Sequence, residues 1–350
     1  MIYKNFEIHN VAEIYDTGDG SISWKRFPGG VHSKLESSNP DNVVLCSTGV
    51  ELRFVIKGES ATVRMSTLVD NPRSFSTFHV YRGGIQGGWD DHEVHRHVPG
   101  EPQDFIIKRS PNIEKLKEMS SRLGYDWDPE VVRIIFDRGK FKIYDVIGDV
   151  VPPRPDQCPQ KTLLAYGSSI THGSNSIDAS HAWVSVLAHN LKIDTRNLGM
   201  AGSCMLEPAV AEYIASEGEA GKWDLATLEI GINVLKWDEE KIISRTENLI
   251  RQVAGRNPDK PIFVISPFYN CGDDFNEEKR AGGERWRRLV GEITVKLNYP
   301  NVTYINGLDV IGDMSYISAD EVHPNIYGVH RIADVLTEKI REVITQRNIL

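Results

Sequence analysis

The chain has 350 residues, of which 40% are hydrophobic and 25% are charged. These fractions are typical of globular domains and exclude collagen-like, disordered and disulfide-scaffold proteins, while the length suggests one large domain or two ordinary ones. The formal charge of −9 divides into −3 for residues 1–160 and −6 for residues 161–350, so neither half is basic enough to indicate nucleic acid or an anionic membrane surface as a partner.

The amino-terminal sequence and the cysteines predict a cellular compartment. The first ten residues lack the uninterrupted apolar segment and the small-residue cleavage site of a secretory signal. No run of about 18 apolar residues that would span a membrane occurs in the chain. The four cysteines form no Cys-x-x-Cys pair, which is typical of free thiols in a reducing compartment. We therefore expect a cytoplasmic protein.

Residues 1–150 are predicted to form an all-β sandwich or jelly roll. Short runs rich in β-branched and aromatic residues alternate with Gly, Pro, Asn and Asp, which is the pattern of many short strands joined by turns. One helix is expected at about 112–123. The predicted strands are 51–58, 61–65, 76–82, 104–108, 131–136 and 140–147. Residues 151–160, which begin Val-Pro-Pro-Arg-Pro, are predicted to be a linker because prolines remove backbone donors and favour an extended chain.

Residues 161–350 alternate between short apolar runs and amphipathic segments. The apolar runs 162–166, 224–230, 261–266 and 302–305 suit buried parallel strands. Apolar residues at helical spacing predict helices over 238–255, around 286–297 and from Pro324 to about Gln346. This alternation predicts an α/β domain with a parallel sheet covered on both faces, and ligands are expected at the carboxyl ends of its strands.

The loop after the first of these strands contains two serines. It reads Tyr166-Gly-Ser-Ser-Ile-Thr-His-Gly173 and lacks both the P-loop lysine and the dinucleotide-binding glycine spacing. A serine hydroxyl at a strand end, near backbone N–H groups, suits a nucleophile. A purely structural turn is the alternative at this point.

Candidates that would assist such a serine follow later in the chain. Asp320 and His323 are three residues apart, so the carboxylate can orient the imidazole that a serine nucleophile needs as its base; the alternative is that Asp320 caps the last helix. Gly202 and Asn233 each follow a strand. Each of them can offer an N–H group to an oxyanion.

Taken together, these blocks resemble the SGNH (GDSL) hydrolases over residues 161–350. The resemblance implies a three-layer, flavodoxin-like α/β/α fold without metal or organic cofactor. It also implies Ser169 as nucleophile, His323 as general base and acid, and Asp320 as its orienting carboxylate. The backbone N–H groups of Ser169 and Gly202 and the side chain of Asn233 would form the oxyanion hole.

Two residues depart from the usual family pattern. Ser168 and Val234 stand where the first and third blocks usually carry Asp. An apolar Val234 suggests a pocket for a small acyl group. Trp237 is a second candidate for that pocket, with packing in the core or against a helix as the alternative. Neither departure belongs to the implied triad or oxyanion hole, so both are compatible with an active enzyme.

The order of the two regions is similar to that of carbohydrate esterase family two, in which a jelly-roll domain precedes the SGNH domain. This similarity implies an esterase that removes acetyl groups from an O-acylated sugar or oligosaccharide. Three alternatives remain open: an acyltransferase of the same mechanism, a lipase-like acylhydrolase, and an inactive carbohydrate-binding protein. The sequence gives no indication of oligomeric state.

A histidine-rich segment at 92–97 is a weaker candidate for a metal site. Glu93, His95 and His97 would share one face of a strand, but no second cluster of ligands accompanies them. We expect a polar strand face here and no bound metal.

Overall fold

The computed structural model describes residues 1–70, 76–88 and 96–346. Within these residues, antiparallel strands occupy the first part of the chain and parallel strands the second. The antiparallel strands are β1 (Ile2–Tyr3), β2 (Phe6–His9), β3 (Glu13–Asp16), β4 (Ile22–Lys25), β5 (Glu51–Ile56), β6 (Ser60–Thr67), β7 (Ser76–Arg82), β8 (Ile85–Gln86), β9 (Arg96–Val98), β10 (Gln103–Lys108), β11 (Val131–Phe136), β12 (Phe141–Ile147) and β13 (Val150–Val151). The parallel strands are β14 (Thr162–Gly167), β15 (Asp194–Gly199), β16 (Leu225–Glu229), β17 (Ile262–Ile265) and β18 (Val302–Ile305).

The antiparallel strands form two sheets that share one apolar core. One sheet has the order β1-β2-β5-β11-β7-β8, with β13 paired to β5 and β9 paired to β7. The other has the order β10-β6-β12-β4-β3. Inward-facing residues of both sheets, such as Phe54, Val63 and Phe78, belong to the same buried cluster. This packing of two sheets face to face confirms the predicted sandwich.

The helices fall into short and long groups. Four-residue helices are α1 (Gly29–His32), α2 (Asp41–Val44) and α7 (Gly272–Phe275). Longer ones are α3 (Ile113–Leu123), α4 (Trp183–Leu191), α5 (Pro208–Glu219), α6 (Glu239–Gly255), α8 (Glu277–Leu297) and α9 (Ile326–Gln346). The helix expected at about 112–123 is confirmed as α3, which ends where Gly124 adopts a left-handed φ of 67°. None of the helices in the described residues is long and apolar enough to cross a bilayer.

The parallel strands form a sheet of order β15-β14-β16-β17-β18, a doubly wound arrangement. Helices α5, α6 and α8 pack on one face, and α4 and α9 pack on the other. The three layers arise because strands such as β14 and β17 carry buried apolar residues on both faces, and the helices present apolar stripes to those faces. This confirms the predicted α/β/α architecture. In such sheets ligands bind at the point where the strand order reverses, which here lies between β14 and β16.

The two regions meet without a simple division of the core. Val150 and Val151 of β13 still pair with β5 of the first region. Phe27 and Val44, although far earlier in the sequence, pack in the cluster that covers one face of the parallel sheet. The domain limits at 1–150, 151–160 and 161–350 therefore stay predictions, and the packing shows that residues near α1 and α2 contribute to the core of the second region.

Candidate active site

The nucleophile candidate lies in the turn that follows the central strand β14. This turn begins at Gly167 and folds back on itself, because the Ser168 carbonyl accepts from the His172 N–H and the Ser169 carbonyl from the Ser174 N–H. Ser169 is 8% exposed. Because its turn follows the carboxyl end of β14, Ser169 lies at the edge of the sheet between β14 and β16, where ligands bind in this fold.

Three predicted side chains meet in one hydrogen-bonded chain. Ser169 Oγ lies 2.7 Å from His323 Nε2, and His323 Nδ1 lies 2.7 Å from Asp320 Oδ2. Both distances are within hydrogen-bond range. The arrangement lets the imidazole take a proton from the hydroxyl while the carboxylate stabilises the resulting imidazolium.

The contact between Ser169 Oγ and His323 Nε2 depends on the position of the turn that carries His323. In this turn Asp320 Oδ1 accepts from the backbone N–H groups of Val322 and His323 and from Ser318 Oγ, and Asn175 Nδ2 donates to Asp320 Oδ2. Burial alone would raise the pKa of Asp320, but these hydrogen bonds together lower it well below its usual range. Asp320 is therefore held as a carboxylate.

The alternative role of Asp320 as the cap of the last helix is wrong. Helix α9 begins at Ile326, and its first turn is capped by Asn325, whose Oδ1 accepts from the Gly328 N–H. Asp320 lies six residues before the helix and binds the backbone of its own turn instead. The sequence could not separate these possibilities, because both need a carboxylate shortly before a helix.

The proposed oxyanion donors line the same cleft, which has a volume of about 600 Å³. Asn233 Oδ1 accepts from the Cys204 N–H, which leaves the amide Nδ2 as the donor available to the cleft. Gly202 has a left-handed φ of 66° in the turn after β15. Within the described residues, the backbone N–H groups of Ser169 and Gly202 have no hydrogen-bond partner. The cleft thus brings together Ser169, Gly202, Asn233, Asp320 and His323.

Two predicted substrate-binding residues are not brought to this cleft. Val234 is 4% exposed and lies in the hydrophobic core, because the helical turn 232–234 directs it inward. Trp237 packs against Trp286 and beneath the Lys241 ammonium. Leu235 lines the cleft instead. The prediction that Val234 and Trp237 line the acyl pocket is therefore corrected.

Several cleft residues were missed by the sequence analysis. Arg138, from the turn between β11 and β12, reaches the cleft and donates to Ser174 Oγ. Asn270 and Lys279 line it from the segment after β17. The length and polarity of that segment, 269–283, predict a long loop that forms one wall of the substrate cleft, with no residue singled out. The segment does line the cleft, but α7 and the start of α8 occupy most of it. Arg138 carried no local signal, since its role depends on the packing of the two regions.

Glu229 also escaped the sequence analysis. It ends β16, is fully buried, and accepts hydrogen bonds from the turn that carries Ser169. Burial raises the pKa of Glu229 to about 7, against the opposing effect of these hydrogen bonds. The sequence signal that could have identified Glu229 is its position as a single carboxylate in the apolar run Leu225-Ala-Thr-Leu-Glu-Ile230.

Glu93 and His95 of the predicted histidine-rich strand face lie outside the described residues. Across residues 1–70, 76–88 and 96–346, no group of three or more His, Cys, Asp or Glu side chains is arranged to hold a metal ion. The absence of a cofactor stays a prediction.

The geometry defines a class of protein, an α/β enzyme with a Ser-His-Asp site at the edge of a doubly wound sheet. A sequence model of the GDSL-like Lipase/Acylhydrolase family matches residues 160–341. The chain belongs to this family, and it is a carboxylic ester hydrolase by class. Comparison with curated proteins gave no match.

Solved structures share the fold over nearly the whole chain. The salicylyl-acyltransferase SsfX3 of a tetracycline biosynthetic pathway is 18% identical, with a TM-score of 0.73 over 97% of this chain and 95% of that one. A putative GDSL-like lipase from Bacteroides ovatus is 16% identical, with a TM-score of 0.68 over 97% and 98%. A family two carbohydrate esterase from Clostridium thermocellum in complex with cellohexaose is 13% identical, with a TM-score of 0.60 over 97% and 99%. These likenesses extend across both the antiparallel and the parallel region.

Proposed function

We propose that this protein is a serine esterase that removes small acyl groups, acetyl above all, from an O-acylated carbohydrate. The observation that carries the proposal is the hydrogen-bonded chain from Ser169 Oγ through His323 to Asp320, with 2.7 Å at each step. A serine is a weak nucleophile at its own pKa and needs such a base.

In the proposed mechanism, Ser169 Oγ attacks the ester carbonyl while His323 Nε2 takes the hydroxyl proton. The tetrahedral intermediate then collapses, and His323 returns this proton to the departing alcohol as the acyl–Ser169 ester remains. Water, deprotonated by His323, then attacks the acyl-enzyme. As the second tetrahedral intermediate collapses, His323 returns this proton to Ser169 Oγ and the acid is released. Asp320, held as a carboxylate by its hydrogen bonds, stabilises the imidazolium in both steps.

Negative charge on the intermediate's oxygen would be met by three donors. These are the backbone N–H groups of Ser169 and Gly202 and the amide Nδ2 of Asn233, all at the cleft. Because such donors are fixed before the reaction, they stabilise the transition state without reorganising. The unpartnered N–H groups of Ser169 and Gly202 in the described part of the chain support this role.

The lining of the cleft supports a polar alcohol and a short acyl group. The cleft has a polar wall and a short apolar surface. The polar residues are Arg138, Ser174, Asn270 and Lys279, and the apolar ones are Ala201, Ile232, Leu235 and Val322. Sugars bind such walls through hydrogen bonds, whereas a long acyl chain needs continuous apolar surface. The fold shared with family two carbohydrate esterases supports the same substrate class. A cytoplasmic location and an oligosaccharide partner remain predictions.

A second candidate is acyl transfer to an alcohol other than water, which would use the same residues. The fold shared with a salicylyl-acyltransferase supports this second candidate. Added alcohol acceptors distinguish the two functions, since they divert acyl product in a transferase and change little in a hydrolase.

Hydrolysis of p-nitrophenyl acetate, butyrate and octanoate by the wild type and Ser169→Ala tests the proposal. We expect turnover of the acetate that falls by at least about 10⁴-fold in Ser169→Ala, and covalent labelling of the wild type by a fluorophosphonate that disappears in this variant. Ser168→Ala is the matched control and should still be labelled at Ser169. Labelling that persists in Ser169→Ala would reject this nucleophile, and a preference for octanoate would reject the short-acyl assignment.

A further inference from the structure

Glu229 is a carboxylate buried directly behind the turn that carries Ser169. It is the last residue of β16 and has no exposed surface. Its Oε2 accepts three hydrogen bonds, from the Ser168 N–H at 2.8 Å, from Ser168 Oγ at 2.7 Å and from Thr171 Oγ1 at 3.0 Å. One oxygen atom thus holds both sides of the turn.

These hydrogen bonds hold the residues on both sides of Ser169. Ser168 Oγ also accepts from the Ile170 N–H at 3.1 Å, so the residues before and after Ser169 are fixed to the same group. Among the described residues, no hydrogen bond joins Ser169 to Glu229, and Ser169 Oγ lies against His323 Nε2 instead. The carboxylate therefore acts on the nucleophile through the backbone of the turn.

The turn is folded so tightly around this carboxylate that position 167 requires glycine. A Cβ on Gly167 would lie 2.2 Å from Thr171 Oγ1 and 2.6 Å from Glu229 Oε2. No real Cβ atom tolerates such distances, so a side chain here would displace the bound hydroxyl and carboxylate.

The same strand end also leads to the proposed oxyanion donor. Four residues after Glu229, Asn233 accepts from the Cys204 N–H, and Cys204 Sγ lies 3.8 Å from the Glu229 carbonyl oxygen. The end of β16 thus contacts both the nucleophile turn and the segment that follows Gly202. A shift of Glu229 would change the distance between nucleophile and oxyanion donors.

We propose that Glu229 is a positioning residue that fixes the nucleophile turn. Ser168 stands where the family usually carries Asp, and Glu229 supplies a carboxylate to this turn from the neighbouring strand β16. The inference rests on the proposed role of Ser169. Because Glu229 touches neither the reacting atoms nor the cleft, it acts through Ser168 and Thr171.

A role limited to filling the core fits the contacts less well. Within the described residues Glu229 Oε1 is buried and has no hydrogen-bond partner. Burying a carboxyl group with one oxygen unsatisfied costs stability, and an apolar side chain would avoid that cost. The three bonds to Oε2 are what an apolar side chain would lose.

Kinetics of the wild type, Glu229→Gln, Glu229→Leu and Thr227→Val test this inference. Glutamine keeps an acceptor oxygen, whereas leucine keeps the approximate volume and removes the acceptor. Thr227 is the matched control, because it lies two residues earlier on the same side of β16, is fully buried, and has an Oγ1 without a partner among the described residues. We measure kcat and KM for p-nitrophenyl acetate, the rate of fluorophosphonate labelling, and thermal unfolding.

We expect Glu229→Leu to lower kcat and the labelling rate about 10–100-fold while KM changes less than about threefold. Glu229→Gln and Thr227→Val should remain within about threefold of the wild type. A folded Glu229→Leu with wild-type kcat and labelling would overturn the inference, as would an equal loss in Glu229→Gln.

If Glu229→Leu does not fold, the double variant Ser168→Ala with Thr171→Val removes two of the three bonds and leaves the carboxyl group in place. Its kcat should fall at least about tenfold, and a wild-type kcat would overturn the inference. A wild type without turnover or labelling would instead reject the proposed function itself.

Discussion

Single residues decide how far the sequence could predict this site. Ser169, Asp320 and His323 were identified because each role demands a particular chemical group, and the structure brings the three together. Glu229 was not identified, because its contact with the turn depends on the register between neighbouring strands, in which Tyr166 lies opposite Leu228. Arg138 was missed for a similar reason, since it reaches the cleft from the antiparallel region.

The titration of Glu229 gives a prediction for stability against pH. Burial raises the pKa of Glu229 from its ordinary value near 4.5 to about 7 in the folded protein. Between these values the folded state binds a proton that the unfolded state has released, so this residue's contribution to stability falls as pH rises. The contribution should fall by up to about 3 kcal/mol between pH 4.5 and pH 8.

Urea unfolding of the wild type and Glu229→Gln at pH 5 and pH 8 measures this effect. Because the other titrating groups are shared, the difference between the two proteins isolates Glu229. The wild type should lose free energy of unfolding relative to Glu229→Gln at the higher pH. A difference that is constant with pH, or that changes in the opposite direction, would contradict the prediction.

At the scale of elements, hydrophobic periodicity predicted most strands and long helices. After β17, however, the glycines led to the prediction of a loop where the structure has helices. Gly282 and Gly283 suggested a loop, yet both lie within α8. A Cβ on Gly282 would be 2.7 Å from the Leu235 carbonyl oxygen. The glycine therefore allows α8 to approach the segment that follows Asn233, and a close approach of this kind is invisible in a single sequence.

The turn between β16 and Asn233 supplies a prediction at the same scale. Gly231 has a φ of 109°, and a Cβ there would lie 2.8 Å from Pro267 Cγ and 2.9 Å from Trp286 Cδ2. Gly231→Ala should therefore lower the free energy of unfolding by more than about 2 kcal/mol, because backbone strain and steric overlap add. It should also lower kcat, since the displaced turn carries Asn233.

Gly221→Ala is the matched control for this substitution. Gly221 also has a positive φ, of 70°, but a Cβ there would meet no atom within 4 Å. This variant should show the cost of the backbone conformation alone, about 1 kcal/mol, with wild-type kcat. Equal losses of stability in the two alanine variants, measured by urea unfolding, would show that the contacts of Gly231 do not matter.

At the scale of the whole molecule, the antiparallel region completes an edge of the parallel sheet. Strand β15 is the edge strand, and its carbonyl groups at Thr195, Asn197 and Gly199 contact side chains of the first region. His9 Nε2 lies 2.7 Å from the Thr195 oxygen, and Arg26 donates to the other two carbonyls at 3.0 and 2.9 Å. The sequence predicted both regions, but not that polar side chains of one replace a neighbouring strand for the other.

A buried ion pair joins the regions at the first residue of β15. Arg53 of β5 donates to both oxygens of Asp194 at 2.7 Å, and Arg53 also binds Glu51 at 2.8 Å. Burial alone would raise the pKa of Asp194, but the charge of Arg53 lowers it well below its usual range. All three side chains are nearly inaccessible to solvent, so the loss of one partner leaves an uncompensated charge in the interior.

Arg53→Met should therefore lower the free energy of unfolding by about 3–5 kcal/mol. Glu51 still pairs with Arg133 in this variant, so Asp194 is the carboxylate that loses its guanidinium partner. Adding Asp194→Leu removes that carboxylate, and the double variant should therefore be more stable than Arg53→Met alone. Arg288→Met, which removes exposed pairs with Glu292 on α8 and Glu239 on α6, should have little effect because solvent screens both pairs. Urea unfolding of the three variants and the wild type measures these differences. If Arg53→Met and the double variant lost equal free energy, the stranded charge of Asp194 would not be the cause, and the two regions would be held together by their apolar and hydrogen-bonded contacts instead.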